Sequence, residues 1–403
     1  MFTRDDALAL DAADPLAFAR ARFALPDGLI YLDGNSLGAL PRRTVSRVAD
    51  TVTREWGEGL VGSWGTWIDW PAKLGARIAR LVGANADEVI VTDNTSVNVF
   101  KLAAAALALR PGRRTIVTEA GNFPTDLYLL QGLASLTGIE VRAVPTADLA
   151  AAIDDGVALL WLTHTNYRSG AVHDMAGLTA AAHAAGALAG WDLSHSAGAL
   201  AVDLAHANAD LATGCGYKYL NGGPGAPAYA FVAQRHHDAL QQPLTGWMGH
   251  AAPFDFDEGY APAPGVARLL TGTPGILGMA ALASGLATFD GIDMNVAEAK
   301  SRALGDLFLD LAAEHCPALE IACPRDGRGA QVSLRHPNAE AVMQALIARR
   351  VVGDVRPPDV LRFGFPALYT RHVDVWDGVA ALAAVLASGE WQHVRFATRR
   401  AVT

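Results

Sequence analysis

Charge and cysteine are the two things this chain has little of. Asp, Glu, Lys and Arg make up only 18% of its 403 residues, and the net charge is −9. The bases are scattered, with short pairs such as Arg113–Arg114 and Arg349–Arg350. No basic arm or stripe is present, so neither nucleic acid nor an anionic membrane is expected as the main partner. The three cysteines, Cys215, Cys316 and Cys323, are odd in number and form no C-x-x-C. That argues against a disulfide framework or a cysteine-built zinc site, and it fits a reducing cytoplasm. No run of about 18 uncharged apolar residues occurs, so no membrane span is expected. The opening stretch MFTRDDALALDAADPLAF carries acids where a secretory signal would carry an apolar core. Phosphate-cradling motifs are missing too: no G-x-G-x-x-G follows a strand, and no G-x-x-x-x-G-K-[ST] occurs.

Apolar residues, by contrast, make up 51% of the chain, enough for a sizeable core. Their pattern divides it into three stretches. Residues 1–50 read as an N-terminal arm, with a helix and a short strand LIYLD (29–33), and are assigned to the small domain. Residues 51–290 read as a large α/β domain. They open on a tryptophan-rich segment (56–70), whose four glycines predict a loop. Strands at 88–93, 114–120, 139–145, 157–165 and 186–195 then alternate with helices at 72–83, after Asn94, at 124–136, near 147–153 and at 174–185. Such alternation predicts a mainly parallel sheet covered on both faces, and apolar strands such as ALLWL agree. Residues 291–403 read as a smaller α+β domain. Its helices are predicted at 296–315, 338–350 and 374–387, with strands in LEIACP, AQVSLRH and VVGDVRPPDVLRFGF.

Ligands of open α/β sheets bind beyond the carboxyl ends of the strands, so the residues standing there matter most. Thr95 and Ser96 precede an apolar helix, which they can cap, and where they can also seat an anion, both roles being compatible. Phe123 is either core or part of a site, and Asp126 suits a first helical turn. Thr163 and His164 end one strand. Asp192 ends another, where a carboxylate needs a backbone partner or a buried cation; His195 follows it. Lys218 stands in the glycine-rich GCGYKYLNGGPG, poor in other charges. A partly desolvated lysine is a usable amine nucleophile. With a carboxylate about 26 residues earlier, a phosphate seat and an aromatic, it meets the needs of pyridoxal chemistry.

Two other patterns compete less well. Gly34-Asn35-Ser36-Leu37-Gly38 matches the G-x-S-x-G of serine hydrolases, but only one short strand precedes it and no helix starts at the serine. His236-His237-Asp238 has no spaced third metal ligand, so no metal site is expected.

The segments YLDGNSLG, FPTD, WDLSHSAGAL, GYKYLNGGPGAP, GWMGH and RLLTGTPGIL, in order along nearly the whole chain, resemble kynureninase. The resemblance implies a fold type I pyridoxal-phosphate enzyme with a mainly parallel, seven-stranded-type sheet in its large domain. It implies hydrolysis of L-kynurenine, and more weakly 3-hydroxykynurenine, to anthranilate and L-alanine, in tryptophan degradation and NAD biosynthesis. It further implies that Lys218 holds pyridoxal 5'-phosphate covalently and moves the α-proton. Asp192 pairs with the pyridinium, with His195 close by; Phe123 stacks on the ring; Asp126 and Thr163 line it. Thr95, Ser96 and Tyr217 hold the phosphate, and Tyr217 is also the acid–base candidate. Trp247 and Thr273 reach the phosphate from the second subunit of a cytoplasmic homodimer. Arg362 clamps the substrate carboxylate, with Trp64, Gly272, Asn35 and Ser36 lining the substrate site and His164 and Tyr369 near it. Trp64 and Gly272-Thr273 match the kynurenine-preferring pattern. The rival readings are an aminotransferase, a cysteine desulfurase, disfavoured because Cys215 is pinned three residues before Lys218, or a non-catalytic pyridoxal-binding protein.

Overall fold

A computed structural model describes residues 2–396. Seven strands form the larger sheet, in the order Val89–Val91, Tyr229–Val232, Leu211–Gly214, Leu188–Asp192, Val157–Thr163, Thr115–Glu119, Glu140–Val144. Tyr229–Val232 runs antiparallel to both neighbours, and the remaining pairings are parallel. The expectation of a mainly parallel sheet therefore holds, with one reversed strand that the alternating pattern did not reveal. No helix separates Leu211–Gly214 from Tyr229–Val232, and the glycine-rich Lys218 turn replaces the crossover.

The strand Val157–Thr163 is buried throughout, and it shows why both faces read as apolar. Leu159 and Trp161 pack with Val99, Leu102 and Ala106 of the helix Thr95–Leu109. Leu160 and Leu162 point the other way, into a core shared with Leu74 and Ile78 of Trp70–Ala79 and Leu282 of Ile276–Ala287. Successive side chains on opposite faces require exactly such two-sided cover.

A second sheet is antiparallel, in the order Asp354–Arg356, Val360–Gly364, Gln331–Arg335, Glu320–Ile321. Met294–His315, Ala339–Ala348 and His372–Ser388 pack a separate core on it. Ile30–Tyr31, from the N-terminal stretch, pairs in parallel with Val351–Val352. Two expectations need correction. The tryptophan-rich 56–70 segment is helical in turns, Leu60–Ser63 and Trp64–Trp67, because Trp67 buries its ring and donates to Glu55 at 2.7 Å. The helix near 147–153 is two short 3-10 turns, Thr146–Asp148 and Ala150–Ala152, anchored by the buried Leu149.

At the amino end of the central strand Leu211–Gly214, the end opposite Lys218, buried Asp210 collects His183, His236 and Arg235, each at 2.7 Å, and the Ala189 N–H at 2.8 Å. Burial alone would raise its pKa, but these partners hold it far below the usual carboxylate range. His236 is thus spent on an ion pair, and His237 bonds the Val232 carbonyl; no cluster of metal-binding side chains occurs among the described residues. Because the folded pKa is depressed, Asp210 stabilises the fold above the unfolded carboxylate range near pH 4, and this is lost as pH falls further. Asp210→Ala should cost about 3–5 kcal/mol, read as a lower thermal midpoint at pH 7. The gap from the parent protein should narrow in acid; a constant gap would count against the ion cluster.

Candidate active site

Parallel register brings the chemistry together. Thr163 stands beside Asp192, and Asp192 beside Thr213, at the carboxyl ends of three adjacent strands. The chain leaving Leu211–Gly214 then turns directly into Tyr217 and Lys218.

Asp192 is buried, and the Ser194 N–H donates to its Oδ1 at 2.7 Å. It is therefore backbone-capped, which is one of the two sequence readings, and it also lies in the field of Lys218. Burial still raises its pKa. Asp126, in the first turn of Pro124–Thr137, is equally buried and accepts from Trp161 Nε1 at 3.0 Å. Burial and then the charge of Asp192 push Asp126 well above the carboxylate range. Two carboxylates thus share a dry sheet end where Lys218 is the cation in reach. A second cation, such as a ring N–H⁺, would relieve them.

Lys218 Nζ lies 3.0 Å from His195 Nε2. Burial, then Lys218, Arg362 and Arg356, hold His195 well below its usual range, so the imidazole is neutral and Nε2 accepts from the ammonium. Its buried Nδ1 has no partner. Lys218 Nζ also lies 5.9 Å from the Phe123 ring centre and 5.8 Å from that of Tyr217. Phe123 is 36% exposed and meets Tyr167 edge-on at 5.3 Å, so it faces the site and is not core. Its backbone is held by Asn122, whose Oδ1 accepts from Phe123 N at 2.7 Å and from Thr163 Oγ1. Burial, then Cys215 and Asp192, raise the Tyr217 hydroxyl pKa, so it keeps its proton.

The cap of the helix Thr95–Leu109 is Asn94, whose side chain accepts from Val97 N at 3.0 Å. Thr95 and Ser96 do not cap, because Asn94 fills that position; they occupy the first turn, where backbone N–H groups lack helical acceptors. Such unpaired N–H groups are able to seat an anion. The helix is anchored by Lys101, only 1% exposed, which donates to Asp93 at 2.5 Å and to the Leu269 carbonyl at 2.6 Å. Asp93 in turn accepts from Thr271 at 3.2 Å.

The substrate-end residues cluster around Arg362. Arg362 stands opposite Asp354 and Ser333 in the second sheet, and it pairs with Asp354 through Nε at 2.8 Å and Nη2 at 2.5 Å. Ser36 Oγ donates to Asp354 and accepts from Arg362 at 3.1 Å. The serine thus has no histidine base and is not a hydrolase nucleophile. Asn35 is fully buried against Gly364, where any Cβ would collide with its side chain. The arm also meets the lysine turn: Gly38 N–H donates to the Tyr217 carbonyl at 2.8 Å, and a Cβ on Gly38 would strike the Lys218 carbonyl. His164 is buried, with Nδ1 2.9 Å from Ser196 Oγ, and burial pushes it down to about 4. Tyr369 is buried with its hydroxyl unpartnered. Trp64 is half-buried, edge-on to Trp67 at 5.5 Å.

Trp247, Gly272 and Thr273 are not brought to Lys218 by any contact within this chain. They are exposed, and Met248 N–H ties the first segment to the Thr271 carbonyl at 3.1 Å. Asp354, Asp33, Arg356, Tyr167, Asn122 and Lys101 were missed in the sequence; GDVR, four residues ahead of LRFG, was the one available signal for Asp354 and Arg356. A cleft of about 550 Å³ between Arg77, Asp203 and Asp290 gathers none of the predicted residues, so chemistry and not cavity size locates the site.

A family profile described as the kynureninase C-terminal domain matches residues 297–382. A kynureninase from Burkholderia mallei (strain SAVP1) is 51% identical over 416 residues, covering 100% of both chains. One from Pseudomonas fluorescens is 49% identical with the same coverage. Among solved structures, a cysteine desulfurase from Thermococcus onnurineus NA1 superposes with a TM-score of 0.80 at 20% identity, over 92% of this chain and 98% of the other, a likeness of fold alone. With half its residues shared end to end, the chain belongs to the kynureninase family.

Proposed function

We propose that this protein hydrolyses the Cβ–Cγ bond of L-kynurenine, releasing anthranilate and L-alanine, with pyridoxal 5'-phosphate as cofactor. The observation that carries the reading is the strand-end set Asp192, His195, Lys218 and Phe123 in a chain about half identical to kynureninases over its full length. The residues present fit the cofactor. Thr95 and Ser96 offer first-turn N–H groups to a phosphate, and Tyr217 is the further residue that would hold it. Asp192 and Asp126 call for a ring cation, Thr163 lines the same strand end, and Phe123 offers an aromatic face. Trp247 and Thr273, exposed on this chain, would complete the phosphate site of a second copy in a homodimer. When bound, the cofactor supplies an electron sink for a carbanion at the substrate α-carbon.

The chain's own residues do the rest. Lys218 would hold the cofactor, and its amine is the base that would move the substrate α-proton. His195, neutral and 3.0 Å away, accepts a hydrogen bond from Nζ and orients it. Tyr217 retains its hydroxyl proton, which suits it to donate to the β-carbon and to take part in hydrating the γ-carbonyl. Arg362 supplies buried positive charge at the carboxylate end, with Ser36 and Asn35 beside it. A cysteine desulfurase is not favoured: Cys215 is buried behind the turn and its amide is tied to Ser194 Oγ at 3.2 Å. The three cysteines are free, in keeping with a cytoplasmic enzyme of tryptophan degradation.

The purified protein should be yellow and should release fluorescent anthranilate from L-kynurenine. Lys218→Ala should lose the visible band and turnover by roughly 10³-fold or more. A colourless protein unchanged by added pyridoxal phosphate would sink the reading. The resemblance assigns the half-buried Trp64 to the substrate ring, where an indole would leave no partner for an extra hydroxyl. Trp64→His should move the kcat/KM ratio of kynurenine to 3-hydroxykynurenine by roughly tenfold toward the latter; an unmoved ratio removes Trp64 from specificity.

A further inference from the structure

Lys101 is a buried cation that takes no part in the chemistry at Lys218. Burying an ammonium is costly unless it is paired. Burial lowers its pKa, and Asp93 works against that. Its partners lie on two separate segments. Nζ donates to Asp93 Oδ2 at 2.5 Å and to the Leu269 carbonyl at 2.6 Å. Asp93 Oδ1 accepts from Thr271 Oγ1 at 3.2 Å, so the carboxylate and the ammonium together hold residues 269–271. Asp93 is itself fixed. Its Oδ2 also accepts from Thr92 Oγ1 at 2.8 Å, its carbonyl accepts from Ala228 N–H at 2.9 Å, and its φ of +47° lies in the left-handed region, uncommon for a residue other than glycine. The first segment leads from Asp93 through the Asn94 cap to Thr95 and Ser96. The second leads from Leu269 to Gly272 and Thr273, and the Thr271 carbonyl bonds Met248 N–H at 3.1 Å, which brings Trp247 with it. A Cβ on Gly246 would strike the Thr271 backbone, so these two strips of chain lie directly against each other. Leu269 also shares an apolar cluster with Val99 and Leu102 of the helix Thr95–Leu109. Such packing is non-directional; it holds the pieces together, and the bonds to one ammonium set their register.

We infer that Lys101 is a positioning residue for the cofactor phosphate in both sites of a dimer: through Asp93 it fixes the seat in its own chain, and through residues 269–271 it fixes the arm that its chain lends to the other. The inference rests on the reading that Thr95 and Ser96 seat the phosphate and that Trp247 and Thr273 reach the site of a second copy. In a two-fold dimer the exchange is reciprocal, so each chain lends an arm and receives one. Each phosphate is then met by donors placed by two Lys101 side chains, one from each chain. Donors ordered before the anion arrives need no ordering when it binds, and that raises affinity without any new contact. Without Lys101 the apolar contacts remain, yet the seat and the arm can shift against each other. The loss then falls on the phosphate and spares the groups that meet the ring, because Asp192, His195 and Phe123 stand on other strands and loops.

The test titrates the full-length protein, stripped of cofactor, with pyridoxal phosphate and with pyridoxal, which has the same ring and aldehyde and no phosphate; the visible band reads both. The parent should bind pyridoxal phosphate far more tightly. Lys101→Met, which keeps the apolar stem, should weaken pyridoxal phosphate by about 10- to 100-fold, the range of a hydrogen bond to a charged group, and leave pyridoxal unchanged. An equal loss for both ligands, the mark of a merely structural role, overturns the inference, and so does no loss for either. Asp93→Asn keeps a partner for Thr271 and drops the charge that holds Lys101. It should give a smaller loss in the same direction, and it serves as the test should Lys101→Met not fold. A double-mutant cycle examines the lent arm: adding Lys101→Met to Thr273→Ala should cost less than Lys101→Met costs the parent, and fully additive losses overturn the role across the dimer. A parent that binds the two ligands equally, or a Thr273→Ala variant with the parent's affinity for pyridoxal phosphate, overturns the reading of the phosphate site, and this inference with it.

Discussion

A carboxylate buried at the end of an apolar strand has to meet a positive charge, and Asp192 imposes that requirement on the whole large sheet. Leaving it unmatched would cost several kcal/mol. Asp126, on the neighbouring helix, shares the site and is itself pushed well above the carboxylate range by burial and Asp192, and among the described residues Lys218 is the cation set against both. The local design follows from this. The Lys218 turn must run tightly past the strand ends, so it is rich in glycine. His195 must stay neutral, since a second fixed cation would satisfy the carboxylates and leave no call for a ligand's charge. The electrostatic deficit is a form of preorganisation: a cationic ring finds its counter-ions already desolvated and fixed.

The second sheet solves the opposite problem. There, two guanidiniums are buried or half-buried, and Asp354 is shared between them, its pKa held down chiefly by Arg362 against the effect of burial. The cross-strand pairing of Asp354 with Arg362 makes this possible, because directly opposed residues bring their side chains into contact. One sheet is left short of positive charge, and the other is left short of negative charge, because burial and then Asp354 raise Asp33 to about 8. An α-amino acid joined to a cationic ring carries both complements.

Much of this was legible in the sequence. The strand–helix alternation gave the parallel sheet, because two-sided burial writes itself as continuous apolar runs. Lys218, Asp192 and Thr163 stood out because polar groups at strand ends break those runs. What stayed hidden has physical causes. Tyr229–Val232 runs backwards, and an antiparallel neighbour needs no crossover helix to announce it. Asn94 took the cap that Thr95 and Ser96 were equally suited to supply, since all three residue types cap well. Phe123 reads as core until the strand ends are laid out, because an aromatic in a site and one in a core have the same composition signal. Asp354 and Arg356 lie in a strand where charges read as solvent-facing; only the register shows them turned toward Arg362 and Ser36.

The segment from Asp33 to Gly38 joins the two halves. Asp33 and Ser36 belong to the Arg362 cluster, and Gly38 is bonded to the Tyr217 carbonyl on the lysine turn. Six residues of the N-terminal stretch therefore touch both the lysine turn and the Arg362–Asp354 cluster. Such a link can fix the distance between them only if it is stiff, and its packing makes it so. Gly34, Gly38 and Gly364 each stand where a Cβ would collide with a neighbour, and Asn35 is fully enclosed. Ser36 Oγ sits among Asp354, Arg356 and Arg362, so a shift of this segment would disturb the charge balance on one side and the backbone of the lysine turn on the other. Tying one short, tightly packed segment to both the lysine turn and the arginine cluster holds those two groups at a fixed separation.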